Sequence, residues 1–377
     1  MAGRTRVLAQ IRQLCCLGLP SEMVVPTLLR TVHLAVPATS WTFFWVDENC
    51  RVVNMYQYPV TPELTALYVA EFYGKKELEA WPGATQVMKT AADVDWTLRE
   101  VDRKKFFRSE FYETCLRPRG SYEPIHAAIR VEGRLRGVLM LDRGSGEKPF
   151  MGSDLALLER IVPYLRHALE NPPTSDPALT DSGEFGLMIL DRAGRLQFLC
   201  PRARRLWFYA NHSRIAPDRR SHGQERSLSE GVAGLARRLA AIAGGHEMAP
   251  PVIHHRNAWG RFVFRAYWLE QAIADPSGSQ SVVDTSSTER SLIGVTIQYQ
   301  EPLSLKLTRA MQDLPLSDRE KAVCLLLAQG LSHSAIAGHL NIRPTTVKTY
   351  VRRVYEKLGV TKSEDLLRKL ISIGLPG

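Results

Sequence analysis

The 377-residue chain lacks any run of about 18 uncharged apolar residues, the length a helix needs to cross a bilayer, because Arg30, His33, Pro37 and Asp47 punctuate its most apolar region. A helical membrane span is therefore not expected. Its six cysteines, at 15, 16, 50, 115, 200 and 324, form no CxxC pair and no even framework. They read as reduced thiols of a cytoplasmic protein and indicate no metal site. No GxxxxGK[ST] stretch is present, which excludes that way of cradling a nucleotide phosphate. No Ser/His/Asp, Cys/His or paired-carboxylate spacing stands out. No catalytic residue, enzyme activity or cofactor is inferred, and no internal repeat is visible. What remains is ordinary for globular proteins: 45% hydrophobic, 23% charged and 8% aromatic residues, at a length that calls for two or three domains.

The formal net charge is +10, and nine of the ten excess positive charges fall in residues 201–226 and 313–377. Localised basic segments are what binding to a phosphate backbone requires, since each phosphate neutralised releases condensed counterions. An anionic membrane surface would attract the same charge. Arg4, Arg6 and Arg12 stand near the start without an acid, as in a targeting peptide. Val7, Leu8, Ile11, Leu14 and Cys15 nevertheless recur at helical spacing, so the expectation is the first amphipathic helix of a folded domain.

Composition marks the joints. Residues 171–183 (NPPTSDPALTDSG) hold three prolines and small polar residues and read as a linker. Residues 275–291 are similar but lie between strand-like runs, as a hairpin excursion would. Before the linker, residues 40–46 and 51–58 form one hairpin signal and residues 125–131 and 135–142 another, followed by helical spacing at Leu155, Leu157, Leu158, Ile161, Leu165 and Leu169. After it, residues 186–200 (GLMILDRAGRLQFLC) read as two strands about a turn. A helix follows through Leu228, Val232, Leu235, Leu239 and Ile242, then strands near 262–269 and 292–299.

From Leu314 the chain becomes a series of short helices. Ser317 to Glu320 (SDRE) is a capping box, satisfying backbone donors at a helix start, and Gly330 suits a left-handed stop. Ser332 can cap a second helix, with Ala335, Ile336, Ala337 and Leu340 facing inward. Pro344 suits the first turn of a third. There Val347, Val351, Val354 and Leu358 fall at i, i+4, i+7 and i+11, one buried stripe, while Lys348, Thr349, Arg352, Arg353, Glu356 and Lys357 occupy the outside. Leu366, Leu367, Leu370 and Ile371 line a fourth. A helix packed on its partner while offering cations and a hydroxyl outward has the geometry of a helix-turn-helix recognition helix.

Residues 316–360 (LSDREKAVCLLLAQGLSHSAIAGHLNIRPTTVKTYVRRVYEKLGV) resemble the LuxR-type helix-turn-helix domain, through the Arg-Glu of the first helix, the Gly-x-Ser turn, the Ile-Ala pair, Thr346-Val347-Lys348 and Lys357 to Val360. Two departures stand out: Arg343 replaces the usual capping Ser, and Tyr350 replaces a usual His. More weakly, residues 137–169 (GVLMLDRGSGEKPFMGSDLALLERIVPYLRHAL) resemble the closing strand, loop and helix of GAF domains, which serve bacterial regulators as small-molecule and dimerisation modules. Residues 186–200 resemble the start of a PAS domain. Acids for a phosphoacceptor receiver are missing, as is the Trp and Tyr pattern of the autoinducer-binding type.

These resemblances imply a multidomain fold of α+β sensor domains followed by an all-α four-helix helix-turn-helix domain. The expected boundaries are 1–170 GAF-like, 171–183 linker, 184–300 PAS-like, 301–312 connector and 313–377 DNA-binding. The function implied is operator binding by a transcription regulator under small-molecule or dimer-geometry control. Its partners would be double-stranded operator DNA, a second copy of the chain, an effector and RNA polymerase. Lys348, Thr349 and Arg352 are expected at base edges, with Thr346, Arg353 and Lys357 nearer phosphates. Trp41, Phe43 and Trp45 alternate along one strand with Met55 on the next and could line an apolar ligand cavity, although core packing uses such stripes more often. His126, His254 and His255 read as ordinary strand residues, and the arginines of 202–226 as a solvated face. The competing class is an enzyme or nucleotide-binding sensor whose C-terminal helices serve protein contacts.

Overall fold

The computed structural model describes residues 2–81, 83, 93–99, 101–170, 176–216, 222–269, 273–274, 280–281 and 292–373. They divide into two compact units, one of Met1–Pro59, Ala66–Ser182 and Glu301–Gly377, the other of Val60–Thr65 and Gly183–Gln300.

In the first unit α1 (Ala2–Cys15) and α2 (Ser21–Ala35) precede the hairpin β1 (Ser40–Val46) and β2 (Val52–Tyr58). After α3 (Pro62–Leu67), which begins in the second unit, come β3 (Val94–Trp96), α4 (Arg103–Phe107), β4 (Glu123–Val131), β5 (Arg134–Arg143) and α5 (Gly152–Glu170). The strands form one antiparallel sheet in the order β2-β1-β5-β4-β3. Every residue of β1 is buried, and both of its faces are covered. On one face the Trp45 indole donates to Ser21 Oγ of α2 at 2.9 Å, and Phe43 lies so close to Gly137 that a Cβ there would come within 2.8 Å of its ring. On the other, Arg119 donates to Thr42 Oγ1 at 3.0 Å. Covering on two sides explains why β1 reads as a nearly unbroken apolar run rather than an alternation.

The register separates Met55 from the three β1 aromatics. Trp41, Phe43 and Trp45 oppose Tyr58, Tyr56 and Asn54, whereas Met55 opposes Phe44 and so points to the other side of the sheet. Trp41 stacks on Tyr58 at 4.4 Å and lies 4.8 Å from His33 of α2. The four residues expected along one cavity wall thus fall on two faces, and all are buried. His126 is a buried residue of β4 whose Nδ1 lies 3.2 Å from Thr97 Oγ1. All six cysteines are free thiols.

The second unit is built on a five-stranded sheet in the order β7-β6-β12-β9-β8, from β6 (Leu179–Leu190), β7 (Leu196–Leu199), β8 (Val252–Asn257), β9 (Gly260–Leu269) and β12 (Leu292–Pro302). The helices α6 (Pro201–Asn211) and α7 (His222–Ala243) pack against it, and Trp207 of α6 meets Phe264 of β9 edge-on at 5.8 Å. Gly194, in the turn between β6 and β7, has φ +81, and a Cβ there would lie 2.6 Å from the Ala233 carbonyl. Only glycine suits that conformation and approach. In the arginine-rich segment, Arg204 pairs with Glu63 at 3.0 Å and Arg205 with Glu184 at 2.8 Å. The segment continues past residue 216, where 217–221 lie outside the described residues.

One boundary differs from the sequence expectation. Strand β6 begins at Leu179, inside the segment expected as a linker, whose residues 171–175 lie outside the described residues. The 275–291 excursion is described only at 280–281, where β11 (Gln280–Ser281) pairs with β10 (Ile273–Ala274).

Glu301 returns the chain to the first unit, and α8 (Leu303–Ala310) is tied there. Leu303 N donates to Ala178 O at 2.8 Å, and the buried Lys306 reaches Asp181 O at 2.7 Å. Arg309 clasps the buried Glu301 carboxylate with both terminal nitrogens. Among the described residues no helix is long and apolar enough to cross a membrane.

Candidate nucleic-acid interface

Beyond α8 the chain forms α9 (Asp318–Ala328), α10 (His333–Leu340), α11 (Pro344–Leu358) and α12 (Ser363–Ile373). The starts follow the local chemistry. Ser317 caps α9 through Glu320 N while the Glu320 carboxylate accepts from Ser317 N at 2.7 Å, a complete capping box. Ser332 caps α10 through Ala335 N. Arg343 occupies the cap of α11 with no side-chain bond, and Pro344, at the first position, fixes the helical φ instead. The ends rely on left-handed residues, Asn341 at φ 50 after α10 and Gly359 at φ 61 after α11.

Val347, Val351, Val354 and Leu358 are buried in a core shared with Val323, Leu327, Ile336, Leu366 and Leu370, and with Leu307 and Met311 from the α8 region. Of the residues expected to face inward on α10, Ile336 and Ala337 do so. Ala335 is exposed, because at 3.6 residues per turn it falls about 100° around the helix from Ile336, off the face that Ile336, Ala337 and Leu340 share. On α12 Leu366 and Leu370 complete the domain's own core and Leu367 and Ile371 pack against it. The helix keeps little apolar face for another molecule, which weighs against placing a dimer contact there.

Lys348, Arg352 and Arg353 are exposed on α11, with Thr346 and Thr349 half-buried between them. Two open clefts flank this ridge. One, of about 590 Å3, is lined by Lys348, Arg352 and Tyr355 with His333 at the start of α10. The other, of about 300 Å3, is lined by Thr345, Thr346, Thr349, Tyr350 and Arg353. The Thr349 hydroxyl donates back to Thr345 O at 3.2 Å, leaving its lone pairs outward. Arg352 is held loosely by Glu356 at 3.7 Å, both side chains being mostly exposed. Glu356 puts a carboxylate on the same ridge one turn on, so the run of exposed cations from Lys348 ends at Arg353.

Lys357 departs from expectation. Its ammonium donates to Glu320 Oε2 at 2.7 Å, and Glu320 is 4% exposed against 40% for Lys357. Burial raises the Glu320 pKa, but the Lys357 and Ser317 hydrogen bonds outweigh it and hold the carboxyl below its usual range. Lys357 thus pins α11 on the start of α9. The two residues are far apart in sequence, and only the spacing of the capping box hinted that Glu320 would be buried.

Residues 314–370 match the family described as bacterial regulatory proteins, luxR family, and the C-terminal segment is accordingly a LuxR-family helix-turn-helix domain. Among curated relatives, the HTH-type transcriptional regulator MalT of Klebsiella pneumoniae is 43% identical over 54 residues, 14% of this chain. MalT of Yersinia enterocolitica is 42% identical over 55 residues, 15% of this chain. The chain spans only 6% of the length of these relatives. A solved phage VqmA–DPO complex is 18% identical with a TM-score of 0.16, over 51% of this chain and 84% of that one. The Escherichia coli DhaR(N)–DhaL complex is 13% identical with a TM-score of 0.26, over 79% and 90%. These scores assign no fold to the whole chain.

Proposed function

From the LuxR-family domain at the C-terminus we propose that the protein is a cytoplasmic transcription regulator that binds operator DNA through α11, under control of its two α+β regions. The observation that carries this reading is the exposed ridge of Lys348, Arg352 and Arg353 standing over a fully buried valine stripe. The inner face fixes the helix and the outer face presents cations over a length that fits a major groove. Lys348, Thr349 and Arg352 are assigned to base edges and Thr346 and Arg353 to phosphates. Lys357 drops out of the phosphate set because Glu320 already holds it.

The first unit's α+β part is proposed as a GAF-like sensor and the second unit as a PAS-like one, with residues 301–312 as connector. Control would come from a small-molecule effector or from the geometry of a homodimer, since a two-fold protein matches a pseudo-palindromic operator. The regulator would in turn act on RNA polymerase. Duplexes selected by the full chain from a random-sequence library supply the operator, and a mobility-shift titration at several salt concentrations tests the assignment. Arg352→Ala should weaken specific binding by ~1–3 kcal/mol if the guanidinium contacts guanine, with little effect on unrelated DNA. Equal affinity of Arg352→Ala and the unmodified chain for the selected duplex would remove Arg352 from the base-reading set.

A further inference from the structure

The N-terminal helix α1 has two partners. It packs on α2 and α5, burying Ile11 and Leu14, and it also touches the helix-turn-helix domain of the same unit. Arg6 donates to the Gln312 carbonyl and pairs with Asp313 at 3.2 Å, Arg12 pairs with Asp318 at 3.5 Å, and Leu17, just past the helix, packs against the domain's core. Arg6, Gln10 and Gln13 follow one another at i, i+4 and i+7, so they share one stripe of the helix, and Leu17 lies just beyond its end. Arg6 and Leu17 both meet the DNA-binding domain, and Gln10 and Gln13 lie between these two anchor points along the chain.

That stripe is poorly satisfied. The amide nitrogens of Gln10 and Gln13 are buried, and among the described residues neither has a hydrogen-bond partner. A donor buried without a partner loses its water and gains nothing in exchange. The ion pairs that flank it are mostly exposed, with Arg6 and Arg12 each 56% accessible and Asp313 98%. Such pairs hold weakly. Lys321 also donates to the Gln312 carbonyl, at 3.3 Å, so two cations converge on one oxygen. Burial and the nearby Arg6 charge lower the Lys321 pKa, as expected of crowded cations. The recognition ridge of α11 stays exposed while α1 is docked, so the contact does not mask it.

We infer that the Arg6-Gln10-Gln13 stripe, with Leu17 beyond its end, is a releasable latch, which holds the helix-turn-helix domain in one orientation against the first α+β domain and sets how α11 is presented to DNA. The latch stands on the geometry of α1, and its effect on DNA rests on the function proposed above. A helix bound by apolar contacts to one side and by underpaired polar contacts to the other parts first on the polar side, where water can supply the missing bonds. A signal that shifts α2 or α5 has a direct route to the domain through α1.

Two variants of the full chain move the latch in opposite directions. Gln10→Leu/Gln13→Leu replaces the unpaired donors with apolar groups of similar size and should tighten it. Arg6→Ala/Leu17→Ala removes contacts to the DNA-binding domain and should loosen it. Amide hydrogen exchange at 312–321 should slow at least about fivefold in the first, the lower bound for relieving one buried unpaired donor, and quicken in the second. Exchange in β4, β5 and α11 should stay unchanged. Unaltered exchange at 312–321 in both variants overturns the latch, and so does equal loosening of β4 and β5, which would make α1 merely a part of the first domain's core. In the same samples, affinity for a duplex selected by the unmodified chain should differ between the two variants. Equal affinity with altered exchange overturns the regulatory role. If even the unmodified chain selects no duplex, the DNA-binding reading fails while the exchange result stands by itself.

Discussion

Replacing Lys357 by Met separates a structural cation from a DNA-contacting one. The change keeps the aliphatic stem but leaves Glu320, 4% exposed, with its Ser317 hydrogen bonds alone. A hydrogen bond to a charged group contributes ~1.5–3 kcal/mol. Lys357 is 40% exposed, so solvent screening brings the expected loss to about 1–2 kcal/mol. A loss of that size raises the open population of α9 by a factor of about 5–30. Hydrogen exchange of amides 318–328 in the full chain should quicken accordingly. The companion variant is Arg353→Met, whose guanidinium has no carboxylate within ion-pairing distance among the described residues. Losing one phosphate contact should reduce the slope of log affinity against log salt by about 0.9 while leaving α9 exchange unaltered. For Lys357→Met the salt slope should hold. The opposite pattern, a reduced slope and unchanged α9 exchange in Lys357→Met, would return Lys357 to the phosphate set and refute the commitment to Glu320.

Three further outcomes follow from particular contacts. Because Glu320 is held below its ordinary pKa of 4.5, the unfolded chain takes up its proton more readily than the folded one. The Glu320 contribution should be complete at neutral pH and lost as pH falls through the carboxylate range, as exchange of α9 amides between pH 6 and pH 3.5 can show, and Glu320→Gln should flatten that dependence. Val354→Ala opens a cavity in a completely buried site and should cost ~2 kcal/mol or more, read by calorimetry of the C-terminal transition. Gly194→Ala forces a side chain into a left-handed turn and to within 2.6 Å of the Ala233 carbonyl. It should destabilise the second unit by more than ~2 kcal/mol, while amide exchange in β4 and β5 stays as it was.

The helical domain was the most legible part of the sequence, because its signals are local. A capping box spans four residues, and the valine stripe of α11 shows its buried side by spacing alone. Both hairpins of the first unit could be read for the same reason. Non-local facts were hidden. That β1 lies between β2 and β5 depends on pairing across about a hundred residues, and a one-residue phase decides which face Met55 occupies. Lys357 looked like any cation on an exposed helix until the fold brought it to Glu320. The amphipathic pattern of α1 marked the side that packs on α2 and α5, but nothing in it distinguished water from the DNA-binding domain on the other side. Ala335 was misplaced because it is adjacent in sequence to the inward face of α10 but lies about 100° around the helix from Ile336.

The hydrogen bond from Leu303 to Ala178 and the reach of Lys306 to the Asp181 carbonyl bring the chain back beside the point where it left. Apart from Val60–Thr65, which the second unit also contains, everything from 183 to 300 is, for the first unit, a loop closed at its neck. The entropy of closing a flexible loop grows only with the logarithm of its length, and an insert that folds with its ends together removes most of even that cost. The host is then insensitive to how long the insert is and sensitive to the spacing of its ends. Extra residues in the turns of the second unit should pass unnoticed by the rest of the molecule, whereas prising β6 from β12 at the neck would pull directly on the helix that carries Lys306.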